Sequence, residues 1–228
     1  MDIQVLVATL HGDWSLPEKM NLQGPAIIAN QCDCWAMEER GEVRMLCSST
    51  RGVGQNRNIA LAMAETDILL FADDDMCYYD GVLQKVVEAF HQLPQADVLI
   101  FGMDMTRNGQ VYEERRLPVK RCRLHQSLKY GACRMAIRRE AVEKAALCFS
   151  QEFGGGCRYG SGEDSLFLYQ CFKAGLQVWS HSLVLGRCAK DSSSWFKGYD
   201  EKFFFVPYDS CIVVGVVSEF TPTATKKS

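Results

Sequence analysis

Three consecutive carboxylates, Asp73-Asp74-Asp75, follow the apolar run Ile68-Leu-Leu-Phe71 and form the most chemically loaded point in the chain. If that run is a buried strand, the acids stand at its carboxyl end, where open α/β sheets take their ligands. Side chains two apart on an extended segment share a face, so Asp73 and Asp75 can meet in one site while Asp74 points elsewhere. Carboxylate oxygens suit Mg²⁺ or Mn²⁺, which take one or two protein carboxylates and fill the rest of their shell with water and phosphate oxygens. A nucleoside diphosphate would supply those oxygens. The plainer alternative is three acids that solvate a turn and cap a helix beginning near Asp80.

The elements needed to hold such a turn are visible in the pattern of the chain. Short continuous apolar runs recur at Ile3 to Ala8, Ala26 to Ala29, Val43 to Cys47, Ile68 to Phe71 and Val98 to Phe101. Continuous apolarity suits strands covered on both faces. Helical stretches lie between them, at Gln55 to Ala64 and at Gly81 to His91, where Val82, Leu83, Val86, Val87 and Phe90 make one stripe. Strand alternating with helix predicts an α/β fold. Beyond it come a charged loop from Thr106 to Arg123 and a strand-helix unit from Ala132 to Leu147. A flexible loop bracketed by Gly154-Gly155-Gly156 and Gly160-Ser161-Gly162 follows, then a helix from Glu163 to Ala174. Ser161-Gly-Glu163-Asp164 also has the form of a capping box that would satisfy the first turn of that helix.

Composition narrows the function classes. With 47% hydrophobic and 23% charged residues, a chain of 228 residues can bury one ordinary core. A net charge of −3 gives no footprint for a nucleic acid and favours small-molecule chemistry. The opening MDIQVLVATL has no basic region before its apolar run and reads as a first strand, which predicts a cytoplasmic protein. No apolar run reaches spanning length, the best late stretch being Cys211 to Val217, so membrane contact would be peripheral, at the inner face. The eleven cysteines are scattered without a CxxC pair; Cys32 and Cys34 lack a matching second pair, and packed free thiols are favoured over a zinc site.

Three segments resemble a known family in order and spacing: Ser49-Thr-Arg-Gly-Val-Gly-Gln-Asn-Arg57-Asn58, then Ile68 to Asp75, then Gly160-Ser-Gly-Glu163-Asp164-Ser-Leu-Phe167. They resemble the inverting glycosyltransferases of family 2, whose fold is called GT-A, a Rossmann-like three-layer sandwich with a mostly parallel central sheet. Met20-Asn-Leu, Asn30-Gln31-Cys-Asp33 and Ser194-Trp195-Phe196-Lys-Gly-Tyr look like a bacterial branch that builds surface polysaccharides. The resemblance covers residues 3 to 205, with a donor half to about 105 and an acceptor half from 106. It gives out over 206–228, which reads as a divergent, truncated tail beside relatives that continue.

The resemblance implies a nucleotide-sugar donor, UDP-linked, a glycan or lipid-linked acceptor, and Mg²⁺ or Mn²⁺. Asp75 would be the main metal ligand, with Asp73 sharing the metal and approaching the ribose or phosphate, and Asp74 on the donor side of the same turn. Asp33 would read the donor base, with Thr9 lining the same pocket. Arg57 would face the nucleotide, where a guanidinium suits a diphosphate; its alternative is a solvated helix residue. Asp164 would be the general base, with Glu163 in reserve, and the family pattern favours this over the capping box. Trp195 can stack on a sugar ring or be buried against the sheet.

One further departure and three rivals remain. The family's later metal-ligating histidine has no counterpart, because His181 sits inside an apparent strand and reads as an ordinary strand residue. A catalytically silent relative that keeps donor affinity is the alternative function. A haloacid-type phosphatase would carry its acids on the first strand with Thr or Val two places on, where this chain has Cys77 on a later strand. A nucleotidyltransferase would need a glycine-rich basic loop where His11 to Leu16 stand.

Overall fold

Val5 and Val7 pack into one hydrophobic core, while Leu6 between them packs into another. The same division separates Leu70 from Leu69 and Phe71, and Ile28 from Ile27 and Ala29. The runs are continuously apolar because each side of the sheet is covered, giving three layers. The structure is a computed structural model that describes residues 1–189.

The strands are β1 (Ile3–Leu10), β2 (Ala26–Gln31), β3 (Ala36–Arg40), β4 (Val43–Ser48), β5 (Ile68–Asp73), β6 (Met76–Tyr78), β7 (Val98–Arg107), β8 (Gln110–Arg115), β9 (Lys120–Arg121), β10 (Met135–Arg138) and β11 (Val178–Ala189). They form one sheet in the order β3-β4-β2-β1-β5-β10-β7-β11-β6, with β8 on β7 and β9 on β11. The block β4-β2-β1-β5 is parallel throughout, so its carboxyl ends share one edge. From β10 onward the sheet is mixed: β10 runs antiparallel to β5 and β7, and β11 parallel to β7.

The helices are α1 (Leu16–Lys19), α2 (Val53–Ala62), α3 (Val82–Gln92), α4 (Leu124–Ser127), α5 (Arg139–Ala145) and α6 (Glu163–Lys173). The α3 stripe of Val82, Leu83, Val86, Val87 and Phe90 is buried in the first core. On the opposite face Ala60 of α2, Ala141 of α5, and Phe167, Leu168 and Cys171 of α6 enter the second.

The expected charged loop from Thr106 to Arg123 is largely strand. β7 continues to Arg107 and turns back as β8 through Asn108 (φ 50°) and Gly109 (φ 78°). Asn-Gly tolerates positive φ at both turn positions, which closes a tight hairpin whose exposed strand holds the charges. Trp195 and the run Cys211 to Val217 lie outside the described residues. Among those described, no helix is long and apolar enough to cross a membrane.

Candidate active site

Asp73 is the last residue of β5, and Asp74 and Asp75 form a tight turn into β6. The extended geometry expected for the three acids is therefore replaced by a turn, and each acid has its own surroundings. Asp74 is held by Thr9 at the end of β1, whose Oγ1 donates to its Oδ2 at 2.6 Å. Asp73 accepts from Arg57 Nη2 at 2.7 Å. Asp75 is pushed up from the ordinary 3.8 to about 7 by burial and by the charges of Asp73 and Asp74.

Arg57 is the hub of the site. It projects from α2 with its side chain only 4% exposed, which removes the solvated-helix alternative. Nη1 donates to Glu163 Oε1 at 3.0 Å and to Asp164 Oδ1 at 2.8 Å, while Nη2 reaches Asp73. One guanidinium thus ties the end of β5 to the start of α6. Its Cζ lies 5.3 Å from the Phe149 ring centroid, and that ring stacks on Phe167 of α6 at 4.2 Å. Neighbouring Asn58 fastens the Phe149 backbone in both directions, at 2.9 and 2.7 Å. Burial opposes the charge of Arg57, but Asp164, Asp73 and Glu163 hold its pKa well above normal.

The capping box is not formed. Gly162, at φ 110°, is the N-cap of α6, and no side chain caps it. That left-handed backbone favours glycine and turns Glu163 and Asp164 toward Arg57. Glu163 is buried against Gly154, where an added Cβ would come 2.7 Å from its carboxyl carbon. Asp164 keeps a quarter of its side chain exposed. Three carboxylates share one guanidinium, so a negative excess remains; burial and Glu163 push Asp164 up to about 7 despite Arg57.

Between the acidic turn and α6 lies an open cavity of about 350 Å³. Its walls include Asp73, Asp74, Asp75, Arg57, Glu163 and Asp164, and the segment Leu128 to Gly131 closes another side. That last segment was missed in the sequence, where no local motif marks it. Asp33 lies elsewhere, exposed beyond β2 and paired with Arg51 at 2.9 Å. Thr9 is buried under the turn. His181 packs its ring against Phe101, away from the cavity walls.

A divalent cation fits this donor set. The oxygens are hard ligands, and no cation is among the groups that set the pKa of Asp75. Because Asp75 and Asp164 have raised pKa values, their contribution to stability is complete below about pH 4 and is lost as pH rises through about 7. Mn²⁺ held there would compete with protons for the acidic turn. It is expected to raise the melting temperature more at about pH 8 than at about pH 5. Equal shifts at both pH values in thermal denaturation would contradict this.

A parallel α/β block with an acidic turn at its carboxyl edge, facing the acidic first turn of α6 across a cleft, places a ligand site where open α/β sheets carry one, and the fold is that of the GT-A glycosyltransferases. The chain belongs to glycosyl transferase family 2, whose family model matches residues 25–145, more than half of its length. No curated protein matches it significantly. Among solved structures, Staphylococcus aureus TarS 1-349 in complex with UDP-GlcNAc superposes with a TM-score of 0.69 at 18% identity, covering 90% of this chain and 64% of that one. S. aureus TarS in a longer form gives 0.64 at 19%, covering 83% and 37%. The chain therefore spans less than two thirds of these neighbours, and the likeness is one of fold.

Proposed function

We propose that the protein is a metal-dependent inverting glycosyltransferase that moves a sugar from a nucleotide-sugar donor, UDP-linked, to a hydroxyl of a glycan or lipid-linked acceptor in cell-surface polysaccharide synthesis. The observation that carries this reading is the shared cavity: the acidic turn on one wall, Glu163 and Asp164 on the other, and Arg57 bridging them. The UDP-GlcNAc complex of the TarS neighbour supports a UDP-sugar as donor.

Asp75 and Asp73 would hold Mg²⁺ or Mn²⁺, with Asp74 anchoring the turn on Thr9. The cation would neutralise the departing diphosphate. Asp164 takes the proton from the acceptor hydroxyl as its oxygen bonds to the anomeric carbon and the bond to the nucleoside diphosphate breaks. A carboxylate with a pKa of about 7 is matched to that task near neutral pH. Glu163, buried and paired, keeps Arg57 oriented and is the lesser candidate for base. Asp33, exposed at the same sheet edge, would meet the donor base, and Trp195 the acceptor sugar.

Calorimetric titration with UDP tests the donor site. Binding is expected only with Mn²⁺ present, and Asp75→Ala is expected to weaken it by more than about tenfold. Metal-independent binding, or binding unaffected by Asp75→Ala, would overturn the assignment of the metal to this turn.

A further inference from the structure

Three thiols that the sequence separates meet at the carboxyl end of β2 and β4. Parallel pairing sets Asn30 beside Cys47, and the antiparallel β3 sets Ala36 beside it as well. The bend between β2 and β3, which carries Cys32 and Cys34, is thereby folded onto Cys47. The sulfurs of Cys32, Cys34 and Cys47 all lie within 4.8 Å of one another, and those of Cys32 and Cys34 are 3.5 Å apart. All three are free thiols, and none lines the acidic cavity. Among the described residues this is the one cluster of three donors so closely grouped.

We propose that Cys32, Cys34 and Cys47 form a binding site for one thiophilic cation of the Zn²⁺ or Cu⁺ class. Three sulfur donors without an imidazole or a carboxylate select soft ions over Mg²⁺ or Mn²⁺. Metal–sulfur bonds of about 2.3 Å place thiolates about 3.8–4.0 Å apart. Closure from the present arrangement therefore asks for shifts below about 1 Å, which a partly exposed bend allows.

The surroundings support such a site. Buried Asn30 directs its amide at the Cys47 sulfur, 3.7 Å away, and at the Gly12 carbonyl, 2.8 Å away, which fixes the least mobile ligand. Arg51 lies alongside, donating to the Cys32 carbonyl at 3.3 Å and to Asp33 at 2.9 Å. That pair cancels the carboxylate charge of Asp33, which would otherwise stand unpaired beside the thiolates. Loading would also tie down the bend that carries Asp33. That consequence for donor affinity rests on the proposed function, whereas the site itself does not.

The test is anaerobic titration of the reduced, metal-free full chain with Co²⁺ as the spectroscopic substitute for Zn²⁺, and with Cu⁺ against a competing chelator. One equivalent is expected to bind with a thiolate-to-cobalt charge-transfer band. Cys34→Ser and Cys47→Ser are each expected to weaken uptake by at least about tenfold, with Cys148→Ser as the unaffected control. Cys34 is exposed, so its variant keeps the test valid if Cys47→Ser fails to fold. Uptake of Cu⁺ alone with the same variant pattern upholds the site and assigns it to a monovalent ion. Neither a thiolate band nor stoichiometric Cu⁺ uptake, or uptake indifferent to Cys34→Ser, overturns it. Neither result depends on sugar transfer.

Discussion

Arg57→Ala is expected to lower the melting temperature by about 10 °C and to abolish donor binding. The side chain is buried, and it pairs with Asp73, Glu163 and Asp164 at 2.7, 3.0 and 2.8 Å. Removing one partner from a buried ionic cluster costs about 3–5 kcal/mol, because the other charges stay where they are. At about 2–4 °C per kcal/mol for a chain of this size, that loss gives the stated shift. The remaining carboxylates would repel one another across the cavity, separating the end of β5 from the start of α6. Arg57→Lys keeps the charge but cannot span three acids with a planar fork, so it is expected to fall between. A change below about 2 °C for Arg57→Ala in thermal denaturation would show that the cluster does not hold these elements together.

Asp164→Asn is expected to lower the transfer rate by about 10²–10⁴ while donor affinity stays nearly constant. The amide oxygen can still accept from Arg57, so the fold around α6 is kept and the ability to take a proton is lost. In the wild type the rate should rise with pH and level off above about 7, since the base works only when ionised. With Mn²⁺ and donor saturating, so that Asp75 stays deprotonated throughout, the residual rate of the variant should lack that limb. An unchanged rate and pH profile would leave Asp164 with a purely structural role beside Arg57.

Much of this arrangement was legible in the sequence, and the gaps have physical causes. The strand cores at Ile3, Ala26, Val43, Ile68 and Val98 stood out because both faces are buried. Their carboxyl ends extend further than apolarity suggests, because polar residues there are buried with partners. Asn30 bonds the Gly12 backbone in both directions, and Gln31 reaches Thr50 and the Gly52 carbonyl. Asn108-Gly109 was a usable hairpin signal in a segment whose charges suggested a loop. The ion pairs of Arg57 span more than a hundred positions to α6, and no local spacing reveals them. The capping box failed for the opposite reason: local residues matched it, but Gly162 opens the helix and Asp164 turns to Arg57. Cys47 joins Cys32 and Cys34 only through strand pairing.

The central claim is that donor and metal meet at the acidic turn, facing Asp164. Crystallography of the protein with UDP and Mn²⁺, using anomalous scattering at the manganese edge, tests it most directly. The expected result is one manganese peak on the Asp75 carboxylate, with the diphosphate in the cavity between that turn and α6. A manganese peak away from Asp75, or a diphosphate bound outside that cavity, would contradict the account.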